Sequence, residues 1–285
     1  MTDAAITRSE ELSLAVIVGC VRALGPARRA VAACIGTAWY AGLSRRSRRR
    51  AIDNHRRLDP AIDRRTAQRR AHASYVEYVA MIFDAIWAEP LTGSEVRRHV
   101  VVSGAEHVAG LERGAVLTVS HFGNWDMAAS SAMAVGVRIA TVMAPIGPPY
   151  ITRLVIVSRQ RKGLVVYTPE QAARGLLRAL RGGRNVALML DVPEAGPTVT
   201  VPYCGGQVVV SAVPARLAAA ARVPIVPVAC WREGGGWRLA MEPPITAVRG
   251  DEVAVMARVA AVLEPHVRSH PEQWYPFHEV YADRG

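Results

Sequence analysis

From about Val100 onward the chain alternates short, β-branched apolar runs with stretches of helical periodicity, and that alternation restricts it to few architectures. The runs AVLTVS (115–120), VRIATVM (137–143), LVVY (164–167) and NVALML (185–190) are too short for core helices and read as buried strands. Thr168-Pro169-Glu170-Gln171 opens a helix after the third run, with a threonine cap, proline at the first helical position and glutamine at the third. Gly182-Gly183 ends it. PARLAAAAR predicts a further helix, PIVPVACW (224–231) and WRLAME (237–242) a hairpin through REGGG, and 251–263 a final helix. Strands alternating with helices imply an α/β fold, a central mixed β-sheet flanked by helices.

The first 95 residues have a different texture and read as an N-terminal helical, arginine-rich segment, with residues 96–285 as the α/β core. An apolar run from Leu12 to Leu43 is broken by Arg22, Gly25, Pro26, Arg28 and Arg29. Its clean pieces fall short of the roughly 20 apolar residues that span a bilayer, so they predict interfacial helices or a hairpin packed on the protein's own core. Glu10 and Glu11 ahead of the run argue against a signal peptide. Between Ser44 and Arg70 follow eleven arginines against Asp53, Asp59 and Asp63, much of the chain's net charge of +11. Such a field attracts nucleic acid, anionic lipid headgroups or an acidic carrier protein. No nucleic-acid-binding motif accompanies it and the tryptophans are not interleaved with it, so no nucleic-acid partner is expected. An apolar helix followed by arginines suits peripheral attachment to the cytoplasmic face of an anionic cell membrane. The four cysteines and the scattered histidines have no metal-ligand spacing, and no metal is expected.

The run VSHFGNWDMA (119–128) carries the candidate chemistry. A spacing of five places His121 and Asp126 about 140° apart on one helix, so a continuous helix cannot join them. If the strand ends at Ser120, Phe122-Gly123 turns and Asn124 caps a helix starting at Trp125, His121 can fold back over the helix start. Asp126 can then accept from one ring nitrogen and leave the other basic, as a general base requires. The chain has no G-x-S-x-G elbow, so the nucleophile is expected from the substrate: a hydroxyl that His121 deprotonates and that attacks an activated acyl group without an acyl-enzyme.

HFGNWD resembles the H-x4-D/E signature of the lysophospholipid acyltransferase superfamily, in the branch of the bacterial lipid A biosynthesis and phosphatidylinositol mannoside acyltransferases. YITRLVIVSRQRKGLVV, NVALMLDVPEAGPTVTVPYCGG and HPEQWYPFHEVY resemble further blocks of that branch in the same order. The resemblance implies a glycerolipid acyltransferase-like fold with His121 as base and Asp126 as its orienter. It implies Arg159 at a polar acceptor group and a functional acid at Asp191, with Glu194 as rival and Asn124 beside them. The acyl donor would be acyl-CoA or an acyl carrier protein, with no cofactor, and the acceptor a hydroxyl of a membrane glycolipid. Tyr203-Cys204 stands where the family has paired phenylalanines, and the basic residues typical of lipid A enzymes after the tryptophan motif are missing. The missing basic residues speak against a lipid A acceptor, and ACWREGGGWRLAMEPPI and GNWDMA lean toward the phosphatidylinositol mannoside-type branch, whose acceptor is favoured. A lipid A acceptor, a non-lipid alcohol or amine, and a non-enzymatic basic lipid- or nucleic-acid-binding protein are the alternatives.

Overall fold

The computed structural model describes residues 7–193 and 196–282. The chain opens with five helices, α1 (Arg8–Ala23), α2 (Arg28–Gly42), α3 (Arg45–Leu58), α4 (Arg64–Trp87) and α5 (Gly93–His99). Caps set their starts: Thr7 and Glu10 form a reciprocal capping box on α1, and Asp63 accepts from the Thr66 amide on α4 at 2.7 Å. There follow β1 (Val100–Ser103), β2 (Val116–Val119), α6 (Trp125–Ala134), β3 (Ile139–Val142), α7 (Pro149–Arg161), β4 (Val165–Tyr167), α8 (Pro169–Arg181) and β5 (Asn185–Met189). The chain continues through β6 (Thr198–Tyr203), β7 (Gly206–Ser211), α9 (Val213–Ala221), β8 (Ile225–Glu233), β9 (Gly236–Met241) and α10 (Glu252–Ser269).

Seven strands form one sheet in the order β1-β9-β8-β2-β5-β3-β4. Every neighbouring pair is parallel except the β8–β9 hairpin, so the sheet is mixed. Its faces are both covered, which is why the strands are near-continuous apolar runs. On one face pack Leu176 and Leu180 of α8, Ala218 of α9 and Val255, Val259 and Leu263 of α10. On the other pack Val96 of α5, Met127 and Ala132 of α6 and Ile156 of α7.

The expected strands and the hairpin are present, and Gln171 accepts from the Thr168 amide at 3.2 Å as the capping pattern requires. Three features were not expected. β1 pairs with the edge strand β9, β6 and β7 form a separate antiparallel hairpin, and α10 runs past Leu263 through Pro265 to Ser269. Pro265 removes one backbone donor, that toward the Ala261 carbonyl, and the helix continues past it to Ser269.

The N-terminal helices are bound to the core. Arg28 and Arg29, which break the apolar run, reach Asp84 of α4 at 3.2 and 2.9 Å, and Arg29 also meets Glu77 at 3.0 Å. Arg232 of β8 reaches the same Glu77 at 3.2 Å, which ties the helices to the sheet. α1 docks on α7 through Leu14, Val18, Leu154 and Val157, and Arg153 bonds Glu10 at 2.7 Å. A β-carbon on Gly36 would lie 2.6 Å from Val76 Cα, so only glycine lets α2 sit this close to α4.

His55 of α3 is fully buried between Ser74 Oγ, 3.1 Å from its Nε2, and the edge of Trp274, 5.6 Å between ring centroids. Burial, assisted by the charge of Arg70, pushes its pKa down to about 3. The unfolded chain therefore takes up a proton near pH 6.5 that the folded chain refuses until about pH 3. The contribution is complete above the unfolded value and is lost as pH falls. Urea unfolding should show stability declining by about 1.4 kcal/mol per pH unit across that window from this residue. A His55→Gln chain should lack that component of the slope, and parallel wild-type and variant profiles would count against it.

Candidate active site

β2 and β5 lie side by side and parallel, with Val119 opposite Met189. Two residues beyond, where both strands leave the sheet at their carboxyl ends, stand His121 and Asp191. The Asp191 carboxylate accepts the His121 main-chain N–H at 2.9 and 3.1 Å and meets Nδ1 of its ring at 2.9 Å. A carboxylate offers only acceptors, so the proton of this contact belongs to Nδ1 and Nε2 is the basic nitrogen. Asp191 is buried whereas the imidazole is 29% exposed, so the orienting charge is shielded and the base lies toward solvent. Val192 follows with φ of 57°, a left-handed conformation that a β-branched residue adopts only under constraint.

The turn after His121 is held from three sides. Gly123 has φ of 62°, and a β-carbon there would lie 1.9 Å from the Cys230 carbonyl of β8. Its N–H donates to the Gln273 carbonyl at 2.8 Å, and the Asn124 N–H donates to the Cys230 carbonyl at 2.8 Å. These two amides are therefore occupied and do not form an oxyanion hole. The closing segment completes the clamp: the Tyr275 N–H donates to the His121 carbonyl at 3.1 Å, and the Tyr275 hydroxyl to the Gly123 carbonyl at 3.0 Å. Gln273 brackets β8, accepting the Arg232 N–H at 2.8 Å and donating to the Arg232 carbonyl at 3.0 Å. Trp125 stands edge-on to the imidazole, with 5.3 Å between ring centroids.

The expected pairing of His121 with Asp126 is corrected here. Asn124 caps α6 as expected, accepting the Met127 amide at 2.8 Å, and the next helical residues point Asp126 at α7. There Arg159 holds it through two hydrogen bonds of 2.9 and 3.2 Å. Burial alone would raise the Asp126 pKa, but the charge and hydrogen bonds of Arg159, with Lys162 nearby, outweigh it and hold the carboxyl below its usual range. Arg159, expected at an acceptor group, has its guanidinium committed to this ion pair and to Met143 Sδ at 3.3 Å. Asn124, also expected to meet substrate, is buried and uses its amide nitrogen on the Met81 carbonyl at 3.3 Å. Glu194 lies outside the described residues.

The motif reading missed the clamp residues Gln273 and Tyr275 and the neighbour His278, whose ring feels the charges of both Asp191 and His121. Burial is the main influence on His278 and lowers its pKa. The signal for Asp191 was available: AVLTVS and NVALML are equal runs ending immediately before His121 and Asp191, and in parallel register they set the two residues abreast.

The chain is similar to known proteins over most of its length. The family profile described as bacterial lipid A biosynthesis acyltransferase matches residues 2–282. Two relatives named phosphatidylinositol mannoside acyltransferase are similar in part. That of Mycobacterium tuberculosis (strain CDC 1551 / Oshkosh) is 29% identical over 184 residues, 61% of this chain and 58% of the relative. That of Mycolicibacterium smegmatis is 29% identical over 167 residues, 57% of this chain and 55% of the relative. The matched stretch thus spans little more than half the length of either. The crystal structure of the 1-acyl-sn-glycerophosphate (LPA) acyltransferase, PlsC, from Thermotoga maritima aligns with 93% of this chain and 99% of its own. Its TM-score is 0.43 at 12% identity.

If Asp191 orients the imidazole, long-range 15N–1H spectra should show His121 protonated on Nδ1 at neutral pH, in the wild type and in Asp126→Asn alike. Asp191→Ala should lose that tautomer preference. A spectrum changed by Asp126→Asn and untouched by Asp191→Ala would restore the pairing drawn from the motif alone.

Proposed function

We propose that this chain, which belongs to the bacterial lipid A biosynthesis acyltransferase family, moves a fatty acyl group from a thioester to a hydroxyl of a membrane glycolipid. The observation that carries this reading is the His121–Asp191 pair at the carboxyl edge of the sheet, with His121 opening the HFGNWD run and its basic ring nitrogen directed away from the carboxylate. Open α/β sheets place their ligand crevices at this edge. The donor is acyl-CoA or an acyl carrier protein, whose thiolate is a good leaving group, and no cofactor is called for.

In the proposed reaction His121 Nε2 takes the proton of the acceptor hydroxyl as its oxygen attacks the thioester carbonyl. The Nδ1–H donation to Asp191 stabilises the imidazolium that forms. The tetrahedral intermediate collapses, the carbon–sulfur bond breaks, and the imidazolium returns its proton to the leaving thiolate. Ester and thiol are the products and the enzyme is regenerated without an acyl-enzyme.

A phosphatidylinositol mannoside-type acceptor fits best, supported by the names of the relatives and by the lack of the basic residues that lipid A enzymes carry after their tryptophan motif. Access to such an acceptor requires a membrane surface. Among the described residues no helix is long and apolar enough to cross one. α1 exposes Leu12 and Val16, the α7 start exposes Tyr150 and Ile151, and α3 carries the arginine-rich run. We read this as peripheral attachment to the cytoplasmic side of an anionic membrane.

His121→Ala should lower thiol release from an acyl thioester, in the presence of glycolipid acceptor, by about 10²–10⁴-fold with an unchanged circular dichroism spectrum. Asp191→Asn should lie in the same range, because it removes the orienting charge while keeping the shape. Wild-type turnover in folded His121→Ala protein would sink the proposal.

A further inference from the structure

The arginine block is organised along one helix. Arg46, Arg49, Arg50, Asp53, Arg56 and Arg57 recur at three- and four-residue intervals along α3 and so share one side of it. That side bounds a cavity of about 680 Å³. The opposing wall is Gly205, in the turn between β6 and β7, and the segment Glu279–Tyr281.

The wall is fixed in place. Asn54, buried on α3, donates its amide hydrogens to the carbonyls of Pro276 and His278 at 3.0 and 3.1 Å. The Tyr281 hydroxyl donates to the Cys204 carbonyl at 2.6 Å, its ring lies where a side chain on Gly206 would be, and the Arg57 guanidinium covers it at 4.5 Å. The charges are not balanced. Besides Arg57, four arginines face two carboxylates among the described lining residues, Asp53 and Glu279, and Asp53 meets Arg49 at 3.6 Å between exposed side chains. Among the described residues no carboxylate is within ion-pair distance of Arg46, Arg50 or Arg56. The closing segment links the cavity to the candidate active site: the Tyr275 N–H donates to the His121 carbonyl at 3.1 Å, and four residues further on Glu279 lines the cavity.

Several guanidinium groups around a concave space suit a compact multivalent anion, whose oxygens take paired hydrogen bonds. A nucleic-acid strand would need an open groove with aromatic platforms, and Tyr281, the one aromatic in the lining, is covered by Arg57. A flat charged membrane would need no opposing wall.

We propose that this cavity is a phosphate-binding site, which holds the phosphodiester or pyrophosphate group of a substrate while the reacting end of that molecule reaches His121. The phosphate can belong to the nucleotide part of the acyl donor or to the headgroup of the acceptor lipid. Which substrate it anchors rests on the acyl-transfer reading; the binding of phosphate does not.

The test is calorimetric titration of the full chain with sodium pyrophosphate at ~0.15 M salt, a strength that screens diffuse attraction over roughly 8 Å. Wild-type protein should bind it saturably. Arg46→Gln/Arg50→Gln should weaken binding at least about tenfold with an unchanged circular dichroism spectrum, as expected for lost charge-assisted hydrogen bonds. Arg249→Gln, an exposed arginine outside the cavity, should leave it unaltered. Competition by coenzyme A assigns the site to the donor and competition by a soluble short-chain phosphatidylinositol assigns it to the acceptor; failure of both overturns the substrate assignment. Equal affinity in the double variant, or only non-saturating attraction to anionic vesicles that Arg249→Gln weakens as much, overturns the site. His121→Ala should still bind pyrophosphate. Transfer without saturable phosphate binding therefore sinks this inference alone, and binding without transfer sinks the catalytic reading alone.

Discussion

The arrangement at His121 depends on one pairing, the parallel register of β2 and β5. Backbone hydrogen bonds between those strands fix Val119 opposite Met189, and everything beyond follows from counting. The carboxylate of Asp191 then lies where it takes both the main-chain N–H and the ring N–H of His121. Two contacts from one acid to one residue fix the imidazole's position and its tautomer together. A shift of register by one residue would point Asp191 to the other face and lose both.

Around that pair the protein uses backbone groups as positioning devices. The turn 121–124 has its amides and carbonyls tied to β8 and to the segment around Gln273 and Tyr275, and glycine at 123 is what permits the approach. That closing segment is itself seated on the N-terminal helices, with Trp274 against His55 and the Pro276 and His278 carbonyls on Asn54. The helical segment and the sheet are thus joined through the active-site turn. The half-buried Arg29–Glu77–Arg232 contacts make a second such tie.

Much of this was legible in the sequence. The alternation of runs gave the layered fold, the proline-bearing capping box gave the start of α8, and Asn124 was read correctly as the cap of α6. The partner of His121 was misread because a motif is local and a sheet is not. Asp126 is five residues away in sequence, whereas Asp191, 70 residues away, is adjacent across the sheet. Arg159 and Asp126 had been given separate roles since nothing in sequence says that two charged residues 33 apart will neutralise each other. The β6–β7 hairpin escaped because its strands are interrupted by proline and flanked by glycines, which weaken the strand pattern.

The clamp on the His121 turn comes from residues about 150 positions later in the chain. The strands that carry His121 and Asp191 are made before Gln273 and Tyr275, whereas α10, which covers one face of the sheet, ends only four residues ahead of Gln273. The brace on this turn therefore comes from outside the motif, so a chain cut before Gln273 would keep His121 without the backbone contacts that hold its turn. The rigidity of the His121 turn is thus contributed by a sequence-distant segment, not by the motif that contains it.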